Sequence, residues 1–145
     1  MDLFCGTGTI GQLMAKRNSS VRIIGVDIVE KAIEDAKENA AKNNINNVEF
    51  YAADVGKFLR EYPDFQGKIK RIMLDPPRAG IAPKTLQKVI SLGAQSIVYI
   101  SCNPSTQARD AATLIEAGYQ LEKYALVDQF PHTGHIESIA KFKKA

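Results

Sequence analysis

Short apolar runs at residues 21–26, 48–52, 69–74 and 97–100 alternate with longer stretches whose apolar residues recur at helical spacing. No other feature of the chain restricts its possible folds as severely. Residues 28–43 place Ala32, Ile33, Ala36 and Ala40 on one face, with Glu and Lys residues opposite, as a helix with one buried side requires. Residues 106–117 repeat the pattern with Ala111, Ala112, Leu114 and Ile115, and Gly118 follows at the helix C-cap. Strands separated by helices of this length pair in parallel through right-handed crossovers, which predicts a doubly wound α/β sheet. The alternation stops near the C-terminal end. Residues 119–127 and 136–142 are both strand-like with no helix between them. They predict a hairpin carrying one antiparallel strand at or near the sheet edge.

The bulk properties narrow the class further. A chain of 145 residues suits one domain, here 1–145, and can bury a real core. Its hydrophobic fraction of 45% and charged fraction of 24% are those of ordinary soluble proteins. No apolar run is long enough to span a bilayer, and the start lacks the basic and apolar regions of a signal peptide. A cytoplasmic monomer with no membrane partner is expected. Cys5 and Cys102 then read as free thiols in a reducing compartment. The net charge of +3 permits a nucleic-acid partner without demanding one. Lys57, Arg60, Lys68, Lys70 and Arg71 read as scattered surface charge rather than a phosphate-binding row.

Gly6-Thr7-Gly8-Thr9-Ile10-Gly11 matches G-x-G-x-x-G between a strand end and a helix start. Such a turn brings backbone N–H groups and a helix N-terminus close to a ligand. The loop alone is a weak signal, since a glycine turn can simply pack a helix on a strand. Asp2 precedes it, Asp27 ends the second strand about 20 residues on, and Asp54 ends the third. Any one of these acids can be a helix N-cap, Asp54 above all. Three at the carboxyl ends of consecutive strands, around one glycine loop, point to a ligand crevice. A nicotinamide dinucleotide domain shares the loop and the ribose-binding acid at Asp27, so the rest of the chain has to discriminate.

Asp75-Pro76-Pro77-Arg78 ends the fourth strand, where two prolines stop the strand and hold the acid rigidly. Ser101-Cys102-Asn103-Pro104 ends the fifth and opens a helix, whose N-terminus favours a thiolate. A lone cysteine is more often inert packing, and Cys5, inside the glycine loop, reads as that. The segment from Asp128 to Ser138 is unusually polar for a hairpin connection. His132 and His135 within it lack a third clustered ligand, so no metal site is expected. Glu137 opens an otherwise apolar strand, where an isolated carboxylate is costly unless paired or used.

Asp-Leu-Phe-Cys-Gly-Thr-Gly-Thr-Ile-Gly at 2–11, Asp-Pro-Pro-Arg-Ala-Gly at 75–80, Ser-Cys-Asn-Pro at 101–104 and Asp-Gln-Phe-Pro-His-Thr-Gly-His-Ile-Glu at 128–137 occur in this order. Together they closely resemble the RNA uracil-5-methyltransferases that modify ribosomal RNA and tRNA, over the whole chain. The resemblance implies a Rossmann-like methyltransferase sheet that takes S-adenosylmethionine and acts on structured RNA. It implies Cys102 as nucleophile and Glu137 as base, with Asp75 orienting the uracil or the cofactor. It also implies cofactor contacts from Phe4, Gly6, Gly8, Thr9, Asp27, Asp54 and Asp75. Methyltransferases acting on planar amino groups carry an aromatic residue after a similar Asp-Pro-Pro, and Arg78 departs from them.

Carbon 5 of uracil is a poor nucleophile until a thiolate adds at carbon 6, which is why this chemistry needs a cysteine and a base. The target base must leave its stack to reach such a crevice. The connection at 128–137 is closer to that of the ribosomal RNA enzymes. Two other readings stand beside this one: an RNA cytosine-5-methyltransferase, and a fragment that binds cofactor without turnover. Members of the family carry an upstream RNA-binding region, often a small β-barrel, and a Gln before the glycine loop. The abrupt first strand therefore leads to the expectation of a fragment that binds cofactor but turns over RNA poorly.

Overall fold

The computed structural model describes residues 1–129 and 131–145; Phe130, in the polar connection singled out above, lies outside the described residues. Seven strands and five helices alternate, mostly parallel, ending in an antiparallel hairpin. They fall into two compact units, Met1–Tyr62 and Pro63–Ala145. No helix among the described residues is long and apolar enough to cross a membrane.

The first unit comprises β1 (Asp2–Leu3), α1 (Thr9–Arg17), β2 (Ile23–Asp27), α2 (Glu30–Lys42), β3 (Val48–Ala52) and α3 (Val55–Glu61). β2 lies between β1 and β3, parallel to both, with Leu3 opposite Val26 and Asp27 opposite Ala52. Central placement explains why β2 is a continuous apolar run up to Asp27. Ile33, Ala36 and Ala40 of α2 pack with Ala15, Ile23, Ile45 and Phe50 into one core cluster. Ile33 is 2% exposed; truncating such a residue to alanine costs about 2–5 kcal/mol. β2 begins two residues later than its apolar run because Val21 belongs to a turn. Its N–H donates to the Asn18 carbonyl and its carbonyl accepts from Asn47 Nδ2.

The second unit opens with a 3-10 turn at Pro63–Phe65. There follow β4 (Arg71–Leu74), α4 (Pro83–Ser91), β5 (Ser96–Ser101), α5 (Pro104–Glu116), β6 (Tyr119–Val127) and β7 (Glu137–Lys144). β4 and β5 are parallel, while β7 lies antiparallel between β5 and β6. The antiparallel strand near the edge is thus β7, and it buries Ser138, Ala140 and Phe142 in alternation. β6 is exposed beyond Tyr119. Boundaries in this unit shift from the sequence expectation by one or two residues, and two of the shifts have a visible cause. β4 starts at Arg71 rather than 69, because the Lys70 carbonyl accepts the N–H groups of Gln95 and Ser96. α5 starts at Pro104 rather than 106, since proline suits the first helical turn and Asn103 caps it by accepting the Ser105 N–H at 3.1 Å.

Candidate active site

In the first unit the glycine loop leaves β1 through a run of unusual backbone. Phe4 has φ 62°, Gly6 51° and Gly8 71°. For phenylalanine this left-handed conformation costs on the order of 1 kcal/mol or more, the kind of strain that clusters at functional turns. The Cys5 N–H donates to the Val26 carbonyl at 3.1 Å, and the Gly8 N–H closes the turn on the Cys5 carbonyl at 2.8 Å. A side chain on Gly8 would overlap the Phe50 ring, whereas Gly6 faces open space. The loop therefore fits tightly inward and is accessible outward.

Two of the acids read from the sequence clamp this loop. Asp2, 1% exposed, accepts the Gly11 N–H at 2.8 Å through Oδ2 and so ties β1 to the first turn of α1. Asp27 accepts the Gly6 N–H at 2.8 Å through Oδ2 and the Val29 N–H at 2.9 Å through Oδ1. Its carboxylate is thereby fixed beside the loop. The third acid, Asp54, accepts the Lys57 N–H at 2.8 Å and caps α3. Thr9 opens α1, with its hydroxyl 3.4 Å from that of Thr7. Ile28, directly after Asp27, is 67% exposed.

Burial pushes the Cys5 thiol far up, and the carboxylates of Asp2 and Asp27 push it further in the same direction. A thiol so disfavoured as thiolate is no nucleophile.

In the second unit Asp75 follows β4, and the chain turns through Pro77, whose carbonyl accepts the Gly80 N–H at 2.8 Å. This turn is fastened to α5. Asn103 Nδ2 and the Thr106 hydroxyl donate to the Arg78 carbonyl at 3.2 and 3.1 Å. Arg109 donates to the Ala79 carbonyl at 3.1 Å. Asp110, 2% exposed, accepts the Ile81 N–H at 2.8 Å and the Tyr99 hydroxyl at 2.7 Å through Oδ2, and pairs with Arg109 through Oδ1. Gly80, at φ 77°, lies so close to Arg109 and Asp110 that a Cβ would meet them at 2.6 and 2.8 Å. The sequence reading missed Gln107, Arg109 and Asp110. The signal was there: Gln107 and Asp110 share the buried face of α5 with Leu114, and two polar residues on an apolar stripe need a reason.

Cys102 is half-buried between β5 and the cap of α5. The Ser101 hydroxyl accepts the Asn103 N–H and donates to the Asn103 carbonyl, both at 3.0 Å, so the turn holding Cys102 is closed on itself. Glu137 is the first residue of β7. The register ends with Ser101 opposite Ser138, so Cys102 follows, and Glu137 precedes, the last registered pair. Although Asp75 is exposed, desolvation by the surrounding chain raises its carboxyl from the ordinary value, and the negative charge of Glu137 adds to the shift. Asp75, Cys102 and Glu137 are thus gathered at the carboxyl ends of β4 and β5 and the start of β7.

His132 and His135 are exposed. The His135 N–H donates to the Thr133 hydroxyl at 3.2 Å. Among the described residues no group of three or more His, Cys, Asp and Glu side chains is placed to hold a metal.

Comparison with known proteins finds similarity along the whole chain. The family model described as tRNA (Uracil-5-)-methyltransferase matches residues 1–145. An uncharacterized RNA methyltransferase of Clostridium acetobutylicum is 46% identical over 99% of this chain and 30% of its own length. The 23S rRNA (uracil(1939)-C(5))-methyltransferase RlmD of Haemophilus influenzae is 44% identical over 98% of this chain and 32% of its own. The chain thus spans about a third of the length of the curated relatives it matches. The tRNA (uracil-54, C5)-methyltransferase of Pyrococcus abyssi, solved with S-adenosyl-L-homocysteine, superposes with a TM-score of 0.83 at 36% identity, covering 97% of this chain and 32% of that one. With a family model matched from the first residue to the last, this chain belongs to the tRNA (uracil-5-)-methyltransferase family.

Proposed function

We propose that residues 1–145 are the catalytic domain of an S-adenosylmethionine-dependent enzyme that methylates carbon 5 of a uracil in structured RNA through a covalent Cys102 adduct. The observation that carries this reading is the register of β5 and β7, whose last pair, Ser101 with Ser138, adjoins a half-buried cysteine on one strand and a carboxylate on the other, with Glu137 close enough to Asp75 to raise its carboxyl. The names of the relatives support the target, and ribosomal RNA is favoured over tRNA by the greater identity to the 23S rRNA enzymes.

The glycine loop fits the cofactor. Phe4, Gly6, Gly8 and Thr9 form a turn at the start of α1 that is open on the Gly6 side and packed on Phe50 at Gly8, and α1 carries neither a side-chain cap nor an acidic residue in its first turn. Each Asp27 oxygen takes one backbone N–H and keeps a second lone pair for a ribose hydroxyl. Asp54 spends one oxygen on its cap and keeps the other for the adenine side. When bound, S-adenosylmethionine supplies the electrophilic methyl carbon. The Cys102 thiolate adds to carbon 6 of uracil, forming a carbon–sulfur bond and moving the ring electrons into an enolate, which makes carbon 5 nucleophilic. After methylation Glu137 removes the proton from carbon 5. That electron pair restores the ring double bond and expels the Cys102 thiolate. Asp75 orients the reacting groups.

The test is tritium release by the full-length protein from RNA labelled at carbon 5. Release from uracil that needs both S-adenosylmethionine and Cys102, with 23S rRNA transcripts preferred over tRNA, is expected. Release from cytosine alone would overturn the assignment.

A further inference from the structure

The chemistry above leaves one buried polar cluster unused. Gln107, Ser138 and Ser101 are 3%, 0% and 1% exposed. Gln107 Nε2 donates to the carbonyls of Tyr99 at 2.8 Å and Ser138 at 3.3 Å, while its Oε1 accepts the Ser138 hydroxyl at 2.7 Å. The Ser138 hydroxyl also lies 3.2 Å from the Ser101 carbonyl. With both Nε2 hydrogens directed at carbonyls, the amide has one orientation. A single side chain from α5 therefore holds β5 and β7 together, although their backbones already pair at Ser101 and Ser138. An apolar pair of the same shape would fill this space at little or no loss of stability. What a fully satisfied network adds is one fixed arrangement. Its members sit one residue from Cys102 and one from Glu137.

We propose that Gln107 and Ser138 are positioning residues that fix Glu137 relative to Cys102, and so govern proton removal and release rather than attack. The inference rests on the function proposed above. Attack needs the Cys102 thiolate, and the turn that carries it is closed by hydrogen bonds between Ser101 and Asn103, on the β5 side of the network. Proton removal needs Glu137 to reach carbon 5 while the ring is tethered to Cys102, so it depends on the separation of two strand ends. On its other side Glu137 adjoins the connection at 131–136, which is exposed apart from Ile136. The internal anchor of the first turn of β7 is therefore Ser138. A displacement of 1 Å at a reacting group can cost about 100-fold in rate.

The experiment uses the full-length protein carrying Gln107→Met with Ser138→Ala. The double variant removes both side chains of the Gln107–Ser138 bond together, leaving only the carbonyls of Tyr99, Ser138 and Ser101 without these donors. Circular dichroism checks its fold, and Ser138→Ala alone gives an independent reading. On ordinary uracil RNA with cofactor, turnover is expected to fall about 10- to 100-fold. A denaturation-resistant protein–RNA species should accumulate that the unsubstituted protein does not show. The rate of adduct formation with 5-fluorouracil RNA should stay within about three-fold. If turnover and adduct formation fall together, or neither changes, the positioning role is wrong whatever happens to the melting temperature. If the unsubstituted protein forms no adduct with 5-fluorouracil RNA, the proposed function itself fails, and this inference with it.

Discussion

Asp75 shows how a single residue can be set against the stability of its own fold. Its carboxyl is raised first by desolvation and then by Glu137, so between its ordinary and raised values the folded chain binds more protons than the unfolded one, an effect that water screens because Asp75 is exposed. Stability therefore falls as pH rises through that window, and above it the carboxylate is a standing cost. Asp75→Asn removes the charge. The variant is expected to unfold at higher urea than the parent at pH 7, to lose that advantage as pH drops below the ordinary aspartate range, and to lose methyl transfer throughout. Equal or lower urea resistance at pH 7 would show that Asp75 is not held at a cost. The two cysteines make the same point about setting. Cys5 lies among Asp2, Asp27 and the core, where a thiolate is disfavoured, whereas Cys102 stands at a strand end ahead of a capped helix.

At the scale of elements, the site is held by helix α5 more than by the strands that carry its residues. Asp110 accepts from the loop after Asp75 and from β5 at once. Asp110→Ala leaves a buried N–H and a buried hydroxyl without their acceptor, a loss of about 1–3 kcal/mol for each group. Chemical denaturation should show destabilisation within that range or above it, and a change under 1 kcal/mol would mean the loop is fastened by Asn103, Thr106 and Arg109 without Asp110.

Much of this architecture was legible in the sequence for local reasons. The glycine loop declares itself because Gly6 and Gly8 occupy left-handed positions. Cys102 and Glu137 declare themselves because a thiol and an acid interrupt strand ends. The hairpin was legible from the missing helix. What stayed hidden depends on contacts distant along the chain: Asp110 reaches Ile81 across 29 residues and Gln107 reaches Ser138 across 31. Neither partner is marked by any local pattern. The cap at Asp54 was the plain alternative for that residue, and the structure realises it; a cap and a cofactor contact are compatible on two oxygens.

At the scale of the whole molecule, the division into Met1–Tyr62 and Pro63–Ala145 separates two kinds of work. The first unit carries the loop and acids suited to a nucleotide-like cofactor, and the second carries the thiol and carboxylates suited to a pyrimidine ring. The relatives are about three times as long as this chain. The central claim is the covalent chemistry of Cys102, and trapping tests it most directly. Full-length protein is incubated with S-adenosylmethionine and RNA carrying 5-fluorouracil at the target. Fluorine at carbon 5 cannot leave as a proton, so release by Glu137 is blocked. A stable adduct is expected, mapped by mass spectrometry to the peptide of Cys102 and not of Cys5, and abolished by Cys102→Ala. An adduct that persists in Cys102→Ala, or that maps to Cys5, would contradict the account.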